Sequence, residues 1–450
     1  MAAIPLIRHD PGSVFAYRGG QPITGGAFLS DVAHLAQQLP DKPYILNLCT
    51  DRYHFAVSFA AALLRRQTSL LPPNYTPTVV ENLLQDYPGM YCFADTHVDF
   101  GRVETVSYPH SMPHSVSGIP PIPAGIPAID AEQRAALVFT SGSTGQPVAH
   151  PKSWGSLCRG AVAEAASLHM VPNSGLSVLG TVPAQHMYGL ESCMLLAMQN
   201  GLPLVAERPF FPADICARLA ELPQPRCLVT TPVHLRTLLA EAVSLPAVEF
   251  VLCATAHLAP QLAIAAEQRF KAPLYEIFGF TEAGMVASRR TTQSVAWHWL
   301  PGIQLRQDGH STYVRGGHVE LEAVLSDVVE HHADGTFTLL GRAADLVNIA
   351  GKRTSLAHLN HHLNEIPGVQ DGMFMMPDDS DGAMKRTLAF VVAPGLASAD
   401  ILNALRASID PVFLPRPLYL VEQLPRTATG KVTHEALLQL MERCSPNNRR

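Results

Sequence analysis

Short apolar, β-branched runs alternate along the first two thirds of the chain with segments whose apolar positions recur at helical spacing. Residues 43–49, 135–140, 176–183, 226–231, 250–254 and 274–278 read as buried strands. Between them, residues 55–66, 156–169, 235–242 and 262–270 read as helices. Strands that alternate with helices pack them on a largely parallel sheet, so the fold class predicted is α/β, a large N-terminal α/β body of βα units. Residues 109–129 hold six prolines (Pro109, Pro113, Pro120, Pro121, Pro123 and Pro127) with little periodicity, and predict a surface connection between two parts of that body. After about residue 343 the texture changes, with strands expected at 372–376 and 388–392 and a helix at 399–409. This predicts a small C-terminal α+β domain of ordinary domain size, and a division into residues 1–343 and 344–450.

At 450 residues and 47% hydrophobic composition the chain can bury a large core. A net charge of -6 provides no basic stripe for phosphate backbones, so no nucleic acid is expected, and a small molecule or a protein is the expected partner. The eight cysteines are scattered, with no C-x-x-C pair, as expected of reduced thiols in the cytoplasm. Arg8, His9 and Asp10 precede any long apolar run, so no secretory leader is expected. The longest apolar stretch, residues 55–64, is about half a membrane span, so none is expected.

The most informative stretch is Leu137-Val-Phe-Thr-Ser-Gly-Ser-Thr-Gly-Gln-Pro147, a buried-strand pattern running into hydroxyls and glycines. Glycine lets a backbone approach phosphate oxygens closely, and the hydroxyls of Thr140, Ser141, Ser143 and Thr144 are candidate donors around Gly142 and Gly145. Lys152 could add a point charge to the β- and γ-phosphates. No Walker spacing passes through the segment. Taken alone, such a turn is more often plain connection than phosphate site.

Four segments change that balance. In order they are Thr140-Ser-Gly-Ser-Thr-Gly145, Glu276-Ile-Phe-Gly-Phe-Thr-Glu282, Asp327 with Gly341-Arg-Ala-Ala-Asp-Leu-Val-Asn-Ile-Ala-Gly-Lys-Arg353, and Pro425-Arg-Thr-Ala-Thr-Gly-Lys431. Together they resemble the adenylate-forming superfamily of acyl-CoA synthetases, nonribosomal-peptide adenylation domains and luciferases. The resemblance implies an ATP- and Mg²⁺-dependent ligase that joins a carboxylic acid to AMP and passes the acyl group to a thiol. It implies that Thr281 touches phosphate, Glu282 holds Mg²⁺, Asp327 grips the ribose hydroxyls and Arg342 lies near ribose and phosphates. Phe278 and Ala254-Thr255-Ala256 would flank the adenine, with Glu276 in the same ATP site, and Gly279 and Ala254 would border the acyl pocket. Pro183-Ala-Gln-His-Met-Tyr-Gly189 resembles a further family segment, which would place His186 near the attacking carboxylate. Lys431 would be the catalytic cation, carried by a C-terminal lid that rotates between the two half-reactions while residues 351–353 line a thiol tunnel.

The chain departs from the family pattern at three places. Val148, where the family has lysine, leaves Lys152 as the nearest loop lysine; Ala344 is uncharged at the hinge; and Asn348 stands where lysine is common. Residues 47–53 and 70–74, with the short length, resemble compact ligases of aryl-polyene and xanthomonadin-type pathways, which implies loading of a hydroxybenzoate- or cinnamate-type acid onto an acyl carrier protein. The alternatives are a fatty acyl- or aryl-CoA ligase that uses free coenzyme A, and an inactive nucleotide-binding homologue.

Overall fold

The computed structural model describes residues 2–109, 125–141, 147–241, 243–308, 311–342, 346–349, 352–377, 386–427 and 432–444. Every strand expected in the body is present, within a few residues of its expected ends. These strands are Tyr44–Asn47, Arg134–Ser141, Ser177–Gly180, Arg226–Thr230, Val251–Cys253 and Leu274–Phe280. They divide between two sheets rather than forming one.

The six-stranded sheet runs Pro147–Ser153, Arg134–Ser141, Thr68–Leu71, Tyr44–Asn47, Met90–Ala94, Thr105–Ser107, all parallel except the first. The nine-stranded sheet has a parallel centre of Val14–Arg18, Leu204–Val205, Ser177–Gly180, Arg226–Thr230, Val251–Cys253 and Leu274–Phe280. Antiparallel strands close both its edges: Gln21–Thr24 on one side, Gly284–Arg289 and His298–Trp299 on the other.

Helix Arg52–Leu64 lies between the sheets. It touches Tyr44–Asn47 and Thr68–Leu71 of one and Leu204–Val205 of the other. Asp51 caps its start by accepting from the backbone N–H groups of Tyr53 and His54. Phe55, Ala56, Val57, Phe59, Ala60, Ala61, Ala62 and Leu63 are buried, as befits a helix apolar all round. The longest apolar run in the chain is therefore the central core helix. Among the described residues no helix is long and apolar enough to cross a membrane.

Helix Trp154–Ser167, capped by Ser153 on the N–H of Ser156, follows the outer antiparallel strand. Pro232 and Pro260 begin Pro232–Ala240 and Pro260–Phe270 at the position where a missing N–H costs nothing.

Of the proline-rich connection, residues 110–124 lie outside the described residues. Its end forms strand Ala128–Asp130, paired with Ala3–Pro5. Beyond the nine-stranded sheet, the chain makes the antiparallel groups Ile303–Asp308, Ser311–Gly316, Val319–Leu325 and then Asp327–His331 with Phe337–Arg342. The smaller C-terminal unit has the sheet Asp371–Met375, Leu388–Val392, Leu418–Leu420 with helices Leu356–Asn364, Ser398–Ser408 and His434–Cys444. Leu359, Leu363, Phe374, Val391, Ile401 and Leu405 form its separate core.

Candidate active site

Thr140, the residues Ala254–Ala256 and the Thr281–Glu282 turn fall at the C-terminal ends of parallel strands, where open α/β sheets bind ligands. Strand Arg134–Ser141 returns antiparallel as Pro147–Ser153, with Thr140 opposite Val148 and Val138 opposite His150. The Thr140 hydroxyl lies 3.0 Å from His150 Nε2. The same nitrogen is 3.8 Å from Glu282 Oε1. A hydroxyl and an imidazole from one sheet thus meet a carboxylate from the other. Burial holds the His150 imidazole below its ordinary pKa, against the opposing pull of Glu282. Sequence reasoning missed His150. Its signal is the two-residue spacing from Lys152, which puts both on one face of a strand.

Glu282 sits in the turn between strands Leu274–Phe280 and Gly284–Arg289, closed by the Ala283 N–H donating to the Phe280 carbonyl at 3.1 Å. Thr281 is half-buried and Glu282 exposed. Glycine is required at Gly279, because a Cβ there would lie 2.4 Å from the Gly284 oxygen. Lys152 was expected to face phosphate, yet it is 4% exposed and its Nζ donates to the main-chain oxygen of Glu282 at 2.7 Å. Its charge is directed inward, onto the turn.

His186 is half-buried and caps helix Met187–Gly189, its Nδ1 accepting from the Tyr188 N–H at 3.3 Å. That turn runs into the π-helical stretch Leu190–Leu195, an irregularity common at functional sites. The Tyr188 hydroxyl reaches the carbonyls of Thr230 (3.2 Å) and Leu252 (3.1 Å), tying the helix start to the ends of two central strands. A Cβ on Gly189 would lie 1.9 Å from the Pro183 oxygen, so this approach also depends on glycine.

Ala254, Thr255 and Ala256 leave strand Val251–Cys253, with Thr255 at φ +81, a conformation unusual for a β-branched residue and typical of functional loops. Phe278 is half-buried, its ring 5.7 Å from Trp297 and 6.2 Å from Phe337. Glu276 is 4% exposed and its carboxylate is taken up internally by Arg289, at 2.6 Å, and by the Thr291 hydroxyl. Burial raises its pKa against the effect of Arg289.

Asp327 and Arg342 are direct partners across the ladder of Asp327–His331 with Phe337–Arg342. Gly142, Ser143, Thr144, Gly145, Ala344 and Lys431 lie outside the described residues, as do the side chains of Ser141, Arg342 and Asn348. The ends of the segment that holds Lys431 are described: Arg426 and Val432 form an antiparallel bridge, and Arg426 makes a two-pronged pair with Asp371 at 2.8 and 2.7 Å.

Hydroxyl, carboxylate and strained loop at the strand ends, with a separate C-terminal unit, fit the architecture of an adenylate-forming ligase. The chain belongs to the AMP-binding enzyme family: the profile of that family matches residues 46–311, and that of the AMP-binding enzyme C-terminal domain matches residues 361–431. It is 28% identical over 308 residues to the 4-coumarate–CoA ligase of Rhodobacter capsulatus, covering 68% of this chain and 76% of that one. It is 27% identical over 164 residues to the 3-hydroxybenzoate–CoA/4-hydroxybenzoate–CoA ligase of Thauera aromatica, covering 35% and 29%. In fold it superimposes on the o-succinylbenzoate CoA synthetase of Bacillus subtilis in complex with its acyl-adenylate intermediate. The TM-score is 0.80 at 17% identity, covering 97% and 98% of the two chains. The protein is an AMP-forming acid–thiol ligase of the adenylate-forming superfamily.

Proposed function

We propose that this ligase activates an aryl acid of the hydroxybenzoate or cinnamate type and transfers the acyl group to a phosphopantetheine thiol on an acyl carrier protein. The observation that carries the adenylation chemistry is the meeting of Thr140, His150 and Glu282 at the ends of strands from both sheets. The aromatic acid is supported by the names of the relatives, which act on coumarate and hydroxybenzoates.

In this reading Thr140, Ser141, Gly142, Ser143, Thr144 and Gly145 cradle the triphosphate beside Thr281, and Asp327 and Arg342 hold the ribose end. Ala254, Thr255, Ala256 and Phe278 border the adenine, with Glu276 bracing their strand from within. Glu282 is an exposed, oxygen-only donor, which suits a cation that takes one or two carboxylates and completes its shell with phosphate oxygens and water. Bound Mg²⁺ would offset the triphosphate charge there.

A carboxylate oxygen of the acid attacks the α-phosphorus in line, the bond to the bridging oxygen breaks and pyrophosphate leaves, giving the acyl adenylate. His186 borders the acid with Gly279 and Ala254, and Lys431 supplies positive charge to the carboxylate and α-phosphate as they approach. In the second half-reaction the thiolate sulfur attacks the acyl carbon and AMP leaves. The lid, residues 344–450, rotates between the two steps about the 344–345 hinge relative to residues 1–343.

Acid-dependent exchange of radiolabelled pyrophosphate into ATP tests the first step: hydroxybenzoates and coumarate are expected to support it and octanoate to fail. Mass spectrometry with a holo carrier protein and with coenzyme A tests the second. A thioester on coenzyme A alone would replace the carrier protein by free coenzyme A, the second reading, which the names of the relatives favour.

A further inference from the structure

Lys152 is almost wholly buried, and a buried ammonium is costly unless its charge and donors are engaged. One donor is bound by the main-chain oxygen of Glu282 at 2.7 Å, and the carboxylates of Glu191, Glu320 and Glu282 act on the charge through space. Lys152 lies on an edge strand of the six-stranded sheet, while Glu282 lies in a hairpin of the nine-stranded one. The bond therefore fixes the Glu282 turn relative to the strand that follows the phosphate loop.

The other end of the same turn is held by Glu191, itself 3% exposed. Its carboxylate accepts from the Met285 N–H and lies against Gly284, where a Cβ would come within 2.5 Å of Oε1. Gly284 has φ +81, the left-handed turn that leaves room for that carboxylate. Lys152 and Glu191 thus bracket residues 282–285 from inside the core.

We propose that Lys152 is a positioning residue for Glu282, and that Lys152 and Glu191 form a buried clamp that sets the Glu282 carboxylate beside His150 and Thr140. The clamp rests on the reading in which Glu282 meets metal-bound ATP. It replaces a phosphate-facing lysine: with Val148 49% exposed after the loop, the nearest lysine acts on the carboxylate's backbone instead.

The test is a double-mutant cycle of Lys152→Met and Glu282→Gln, read by equilibrium binding of ATP with Mn²⁺ through the electron paramagnetic resonance of free Mn²⁺. Lys152→Met is expected to weaken binding about tenfold, as loss of an outer-shell partner does, and Glu282→Gln, which removes the carboxylate itself, at least as much. The double variant is expected to be no weaker than Glu282→Gln alone, because both changes act through one carboxylate. Pyrophosphate exchange should show a raised KM for MgATP with a smaller change in kcat. Additive losses in the double variant, or unchanged binding by Lys152→Met, overturn the clamp.

If Lys152→Met alone does not fold, the pair Lys152→Met/Glu191→Gln puts neutral near-isosteres in place of both charges, a change that buried pairs tolerate. It should show the same tenfold loss at an unchanged unfolding temperature, and wild-type affinity there would overturn the proposal. Absence of ATP·Mn²⁺ binding by the wild-type protein would instead sink the reading on which the clamp rests.

Discussion

Asp327 and Arg342 stand directly opposite each other as the end pair of an antiparallel ladder, so the two residues that the family resemblance places at the ribose and phosphates lie on adjacent strands of one hairpin. Directly opposed residues in such a ladder have their Cβ atoms roughly 5 Å apart, close enough to serve one ligand. Asp327→Asn keeps the size and removes the charged acceptor. It is expected to raise the KM for ATP about tenfold to a hundredfold, the loss of hydrogen bonding to a charged group. The variant should also treat 2′-deoxy-ATP and ATP alike, and retained discrimination in steady-state kinetics would count against the assignment.

His186 caps a helix in the structure and borders the acid in the proposed reading, two duties that substitution can separate. His186→Ala removes the cap on the Tyr188 N–H and is expected to lower stability by about 1 kcal/mol. His186→Asn restores a capping acceptor, so it should regain that stability in urea unfolding while pyrophosphate exchange stays depressed. Full recovery of exchange by Asn would limit His186 to capping.

The fully buried Glu164 carboxyl is pushed up by burial to about 8 from an ordinary 4.5, against the opposing effect of the Ser192 hydroxyl. The folded state therefore holds a proton that the unfolded chain releases. Stability from this group is complete below pH 4.5 and is lost as pH rises toward about 8, by a total on the order of several kcal/mol. Glu164→Gln is expected to leave the unfolding temperature nearly unchanged at pH 4.5 and to raise it clearly at pH 8.5. Equal shifts at both pH values in calorimetry would contradict this.

The bridge of Arg426 with Val432, and the pair of Arg426 with Asp371, fix both ends of the segment carrying Lys431. Lys431→Ala is expected to abolish adenylation from acid and ATP while leaving thioester formation from preformed adenylate largely intact. Arg426→Gln should show the same division at a milder level, roughly tenfold, because it loosens the support of the segment and keeps its cation. Equal loss of both half-reactions in single-turnover measurements would refute the division of labour.

Much of the body was legible in the sequence because buried parallel strands are continuous apolar runs: 226–230 and 274–280 fall almost where the pattern puts them. The split into two sheets was not, since Arg134–Ser141 and Ser177–Gly180 carry the same signal although they belong to different sheets. The Thr281-Glu282 turn was visible as a motif, while its support was hidden. Glu191 and Lys152 are neighbours only after folding, and a charged residue gives no sign in sequence that it will be buried. Glu276 shows the converse, a motif residue whose carboxylate is used up by Arg289 inside the fold.

The helix Arg52–Leu64 has a consequence for synthesis. Its partners on one side are complete once residue 71 has emerged, but Leu204–Val205 on the other side comes more than a hundred residues later. A nascent chain halted between those points carries a largely apolar helix with one flank unpaired, and with Arg52 lacking one or more of the carbonyls of Gly180, Val182 and Val205 that it bonds in the folded protein. Premature termination or a split of the gene in that interval should therefore yield aggregation-prone fragments that need a chaperone, rather than a stable half-protein.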